Sequence, residues 1–153
     1  MERIASFEVD HRYIVPGIYL SRIDGDITTY DLRTRKPNCG DFMSDSTMHT
    51  FEHLFATYVR NSEIGEKVIY FGPMGCATGF YLLIRNADHN ETLKTVIWTL
   101  RKIIAHTGEV FGNSEIECGN YKSLNLNSAV SEAKKYLSAL ESKETHDFKY
   151  PTE

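Results

Sequence analysis

Five consecutive residues carry the sharpest chemical signal in this chain: His49-Thr50-Phe51-Glu52-His53. On a helix, two histidines four positions apart lie within about 40° of each other around the axis and one turn apart. Their ring nitrogens can therefore converge on one divalent metal ion. Glu52 faces the same side without having to be a ligand, which suits a general base. The H-x-x-E-H order is also that of the inverted zinc peptidases. A competing reading is a pair of ordinary surface histidines, but the interposed glutamate at helical spacing favours the metal.

Two imidazoles need at least one further ligand. Cys118 is a candidate, because it lies in Glu117-Cys118-Gly119-Asn120 and glycine allows close backbone approach. A His₂Cys set leaves a fourth position open, which is the catalytic arrangement. Taken alone, Cys118 reads more readily as a buried structural cysteine than as a ligand. Cys76 sits in Gly72-Pro73-Met74-Gly75-Cys76-Ala77-Thr78-Gly79, a turn able to present a thiol to a cleft. That suits a reactive thiolate beside a cation, and it suits equally a tight turn that tolerates a small residue. Cys39 has no evident partner and reads as incidental. Ser6, His11 and Arg33 are unremarkable when taken singly.

The elements that must position these residues are legible from pattern. Residues 17–34 read as a hairpin turning at Asp24-Gly25. Residues 46–61 read as a helix capped by Ser46, with Met48, Phe51, Leu54, Phe55, Tyr58 and Val59 forming one apolar stripe. Residues 67–73 and 78–85 read as strands joined by the Cys76 turn. Residues 90–106 and 126–142 read as helices, the first capped by Asn90 and followed by Gly108. Residues 111–121 form a loop, and the polar tail from Lys143 is expected to be loose. The strands and helices do not follow a βαβ rhythm, so the expected class is α+β: a single small domain, residues 1–153, with a mainly antiparallel sheet packed with helices.

Composition narrows the function. The chain has 153 residues, enough for one domain with a real core. A net charge of −4 argues against nucleic acid as a partner. No window reaches the roughly 18 apolar residues of a membrane span, and the N-terminus has no apolar signal region, so a cytoplasmic location is expected. The three cysteines are then more readily ligands, nucleophiles or core residues than disulfide partners.

Taken together, the motifs resemble the S-ribosylhomocysteine lyase (LuxS) family. The resemblance rests on Ser6-Phe7-Glu8-Val9-Asp10-His11, on Asp31-Leu32-Arg33 with Lys36-Pro37-Asn38, and on His49-Thr50-Phe51-Glu52-His53-Leu54. It continues through Pro73-Met74-Gly75-Cys76-Ala77-Thr78-Gly79-Phe80-Tyr81 and Glu117-Cys118-Gly119-Asn120-Tyr121. The resemblance implies a homodimer with active sites at the subunit interface. It implies His49, His53 and Cys118 as ligands of one divalent metal per subunit, natively Fe²⁺, with Zn²⁺ or Co²⁺ able to substitute. It implies Glu52 and Cys76 as the two acid/base residues, and Ser6, His11 and Arg33 as residues lining the ribose pocket. The implied reaction cleaves the thioether of S-ribosylhomocysteine to homocysteine and 4,5-dihydroxy-2,3-pentanedione, the autoinducer-2 precursor of quorum sensing, by carbonyl migration and β-elimination. Tyr70 and Ala77 depart from the family pattern, the first where an acidic residue is common and the second where a longer polar residue is.

Overall fold

The computed structural model describes residues 1–153. Its elements run β1 (Gly17–Asp24), β2 (Ile27–Arg33), α1 (Asp45–Arg60), β3 (Val68–Pro73), β4 (Gly79–Arg85), α2 (His89–Ile104) and α3 (Leu126–Glu141). The four strands form one antiparallel sheet in the order β1-β2-β4-β3. The α+β expectation holds, and so does each predicted element to within a residue or two.

Alternation along the strands divides the sheet into two unlike faces. Ile18, Tyr30, Leu32, Phe80, Leu82 and Ile84 point to the helices and join the core cluster. Phe51 of α1 stacks on Phe80 with ring centroids 4.7 Å apart, and Phe55 stacks on Phe71 at 4.2 Å. The opposite face carries Tyr19, Asp31 and Tyr81 at matched registers. Beside Tyr81 on that face the chain exposes Ile4 and Tyr70.

Three local expectations are corrected. The cap of α1 is Ser44, whose side chain accepts from the Thr47 amide; Ser46 lies inside the helix and donates instead to the Ser123 carbonyl. The cap of α2 is Asp88, which accepts from the Glu91 amide, and Asn90 lies in the first turn. The tail is docked rather than loose. The Leu20 amide donates to the Phe148 carbonyl at 2.7 Å, so the tail runs along the free edge of β1 and covers it. Phe148 is buried in the core, and Tyr150 stacks on Tyr19 at 5.0 Å.

Candidate active site

Helix α1 places its polar chemistry away from the sheet. Phe51 packs inward, and at about 100° per residue His49 and His53 fall roughly 160° from it on the outer side. Glu52, half-buried, lies on the same flank. Across from them runs the loop between α2 and α3. It is tied to α1 at two points: Ser46 donates to the Ser123 carbonyl, and the Asn125 amide donates to Thr50 Oγ1 at 2.8 Å. This brings Cys118 to the histidines. Ligand atoms of His49, His53 and Cys118 all lie within 4.8 Å of one another. His49 Nε2 is 3.3 Å from Cys118 Sγ.

The hydrogen bonds behind these residues fix the histidine tautomers. His53 Nδ1 is 2.7 Å from the Phe111 carbonyl, which can only accept, so Nδ1 carries the proton and Nε2 keeps its lone pair. Ser123 Oγ donates to the Asn120 carbonyl at 3.0 Å and therefore accepts from His49 Nδ1 at 2.7 Å. His49 Nε2 is likewise left as a lone pair. Burial, and then the neighbouring His53, lower the His49 pKa against a smaller opposing pull from Glu52, which favours the neutral, ligating imidazole. The Asn120 amide donates to Cys118 Sγ at 3.4 Å. The donor set fits a divalent borderline metal with a position left for substrate. The third donor is a cysteine and not the downstream carboxylate of an inverted peptidase.

Two contributors escape sequence reading. Phe111 acts through its backbone carbonyl, to which its side-chain type gives no clue. Gly112 has φ +71°, and a Cβ there would meet His53 Nδ1 at 3.0 Å. A glycine after an aromatic residue was the available signal, but it had no visible partner.

A second cluster lies at the end of the sheet. Cys76 is exposed in the β3–β4 turn, its Sγ 3.0 Å from Thr78 Oγ1. Arg33 Nη1 donates to Thr78 Oγ1 at 2.9 Å and approaches Cys76 Sγ at 4.0 Å. Arg33 and Asp31 are 2% and 1% exposed, and Asp31 holds the other edge of the guanidinium through Nε at 3.1 Å and Nη2 at 2.6 Å. Burial works to lower the Arg33 pKa, and the Asp31 hydrogen bonds and charge more than offset it. No hydrogen bond joins this cluster to the cluster of His49, His53 and Cys118 within one chain, and by strand alternation Arg33 and Asp31 lie on the sheet face that α1 does not cover. Ser6, half-buried, sits beside Tyr81 on the Asp31 face in a cleft of about 260 Å³ that Tyr70 also lines. His11 Nδ1 is 2.8 Å from the Val9 carbonyl, which leaves Nε2 free, and it lies outside both clusters.

A family model described as S-Ribosylhomocysteinase (LuxS) matches residues 4–147. The chain belongs to the LuxS family. It is an enzyme of the lyase class. S-ribosylhomocysteine lyase of Borreliella afzelii strain PKo is 41% identical over 157 residues, covering 99% of this chain and 100% of that protein. The Finegoldia magna lyase is 40% identical, with 99% of each chain covered. The Clostridium acetobutylicum lyase is 42% identical over the same shares. The LuxS match spans both clusters, so the cysteine turn and the helix histidines belong to one family domain. No helix is long and apolar enough to cross a membrane.

Proposed function

We propose that this protein cleaves the carbon–sulfur bond of S-ribosylhomocysteine, releasing homocysteine and 4,5-dihydroxy-2,3-pentanedione. The observation that carries the reading is the convergence of His49, His53 and Cys118 on one point with both histidine tautomers set for ligation. Relatives of the same length bear the lyase name. These three residues would hold one divalent metal, Fe²⁺ being the native choice and Zn²⁺ or Co²⁺ a substitute. When bound, that metal supplies Lewis acidity to a sugar carbonyl, which makes the neighbouring carbon–hydrogen bonds acidic.

The chain's own residues then move protons. Cys76 Sγ takes and returns the protons that shift the carbonyl along the sugar, with Arg33 placing positive charge behind the sulfur. The Glu52 carboxylate handles the transfer that sets off loss of homocysteine. Two bases at different carbons account for two clusters. Since Arg33 and Asp31 lie on the sheet face that α1 does not cover, the working site is assembled between two subunits: the helix site of one faces the Cys76 turn, Ser6 and His11 of the other. The exposed apolar residues around the Asp31 face are the surface such a homodimer would cover.

The test is thiol release from S-ribosylhomocysteine by anaerobic protein reconstituted with Fe²⁺ or Co²⁺, with Cys76→Ala alongside. Release by wild type and none by a fully metallated Cys76→Ala variant supports both the reaction and the cysteine's part in it. No release from fully metallated wild type removes the reading.

A further inference from the structure

The docked tail places a hydroxyl where the proposed chemistry does not use it. Tyr150 donates to Asp31 Oδ2 at 2.8 Å, on the same oxygen that accepts Arg33 Nη2 at 2.6 Å. Asp31 Oδ1 accepts Arg33 Nε at 3.1 Å. Two parallel bonds between a carboxylate and a guanidinium make the two planes nearly one rigid body. Whatever fixes the carboxylate plane therefore fixes where the remaining nitrogen, Nη1, points. That nitrogen meets Thr78 Oγ1 at 2.9 Å and Cys76 Sγ at 4.0 Å. An unbroken line of polar contacts thus runs from the last residues of the chain to the turn cysteine.

We propose that Tyr150, acting through Asp31, is a positioning residue that aims the Arg33 guanidinium at the sulfur of Cys76. The proposal rests on the reading of Cys76 as a proton-transfer group. The geometry favours a dedicated contact over incidental packing. Tyr150 is oriented independently of its hydroxyl, by its ring stacked on Tyr19 at 24° between planes and by the Phe148 carbonyl bonded to Leu20. Burial and the Asp31 charge raise the Tyr150 pKa, so it stays a hydroxyl donor at working pH. Tyr19 and Tyr81 border the same carboxylate, and burial raises both their pKa values as well. Asp31 is thus enclosed by neutral rings and faces one cation. Without the Tyr150 hydroxyl, Oδ2 is left with a single partner and the carboxylate can turn, carrying Arg33 away from the sulfur.

The test uses Tyr150→Phe in the full-length, metal-loaded protein, because phenylalanine keeps the stack on Tyr19. The rate of iodoacetamide alkylation at Cys76 is read by peptide mass mapping, which separates it from Cys39 and Cys118. In parallel, kcat and KM for thiol release, metal content and thermal midpoint are measured. The expected result is a fall of about tenfold in both Cys76 alkylation and kcat, the effect of losing one hydrogen bond to a charged group, with KM and metal content unchanged. A lowered thermal midpoint with an unchanged alkylation rate would mean that the tail is only structural, and would overturn the proposal. Slower alkylation in a protein whose wild type releases no thiol would keep the positioning role and remove the lyase reading. Asp31→Asn reads the same step one bond nearer the sulfur, and an unaltered alkylation rate in that variant also overturns the proposal.

Discussion

At the scale of single residues, the candidate metal site depends on one nitrogen of each histidine being free, and the Phe111 carbonyl and the Ser123 hydroxyl decide that. The Phe111 carbonyl holds His53, and the adjacent Gly112 adopts φ +71° at a point where a Cβ would crowd His53 Nδ1 at 3.0 Å. Gly112→Ala should therefore tilt the His53 ring while leaving every ligand in place. We expect metal affinity to fall about 10- to 100-fold, the usual cost of disturbing a ligand's supporting contact. Competition with a chromogenic chelator measures it, and unaltered affinity would show that the ring tolerates the shift. Ser123 plays the matching part for His49 through a hydroxyl that both accepts and donates. Ser123→Ala leaves Nδ1 without a fixed partner and should weaken the site in the same assay. The candidate ligands are legible as side chains, but their orientation is set by a carbonyl, a serine hydroxyl and a glycine.

At the scale of elements, the first turn of α1 separates stability from site geometry. Ser44 and Ser46 are two residues apart and chemically identical, yet only Ser44 caps the helix. Ser44→Ala should cost about 1 kcal/mol of stability in urea unfolding and leave metal affinity as it was. Ser46→Ala removes the tie to the Ser123 carbonyl and should show the reverse emphasis, with weaker metal binding and less change in stability. The helix itself was legible because Phe51, Leu54, Phe55 and Val59 keep a 3.6-residue period, and all four are buried. The cap was not, because Ser44-Asp45-Ser46 offers adjacent residues of similar capping strength. The tail was misread for a related reason. Phe148 and Tyr150 are two aromatic residues spaced two apart in a polar segment, too little pattern to announce a strand-like edge cover. Their partners, Leu20 and Asp31, lie more than a hundred residues earlier. The histidine pair was readable at once because its members are one helical turn apart, whereas Cys118 reaches them only through the fold of a distant loop.

At the scale of the whole molecule, two consequences follow from the two-faced sheet. If the working site is shared between subunits, Cys76→Ala and His53→Ala should each be inactive alone and should recover thiol release when mixed under conditions that exchange subunits. Each mixed dimer then holds one intact site and one doubly damaged one. Continued inactivity in a mixture shown by mass spectrometry to have exchanged would place both clusters in one subunit's site. The second consequence concerns alkaline pH. Tyr19 is pushed up to about 12 chiefly by burial and then by the Asp31 charge, and burial likewise raises Tyr30, Tyr81, Tyr136 and Tyr150. Each of these groups binds its proton more tightly folded than unfolded. Their contribution is therefore fully present below the ordinary tyrosine value near 10 and is lost as pH rises through the raised folded values. Stability in urea should be flat up to about pH 10 and fall steeply above it, with much of the tyrosinate absorbance appearing together with unfolding rather than before it. The sign follows from the burial of these phenols, reinforced at Tyr19, Tyr81, Tyr136 and Tyr150 by the Asp31 charge. Were those phenols to ionise in the folded state with no loss of stability, the Asp31 face would have to be open to water, and the tail could not be holding Arg33 in place.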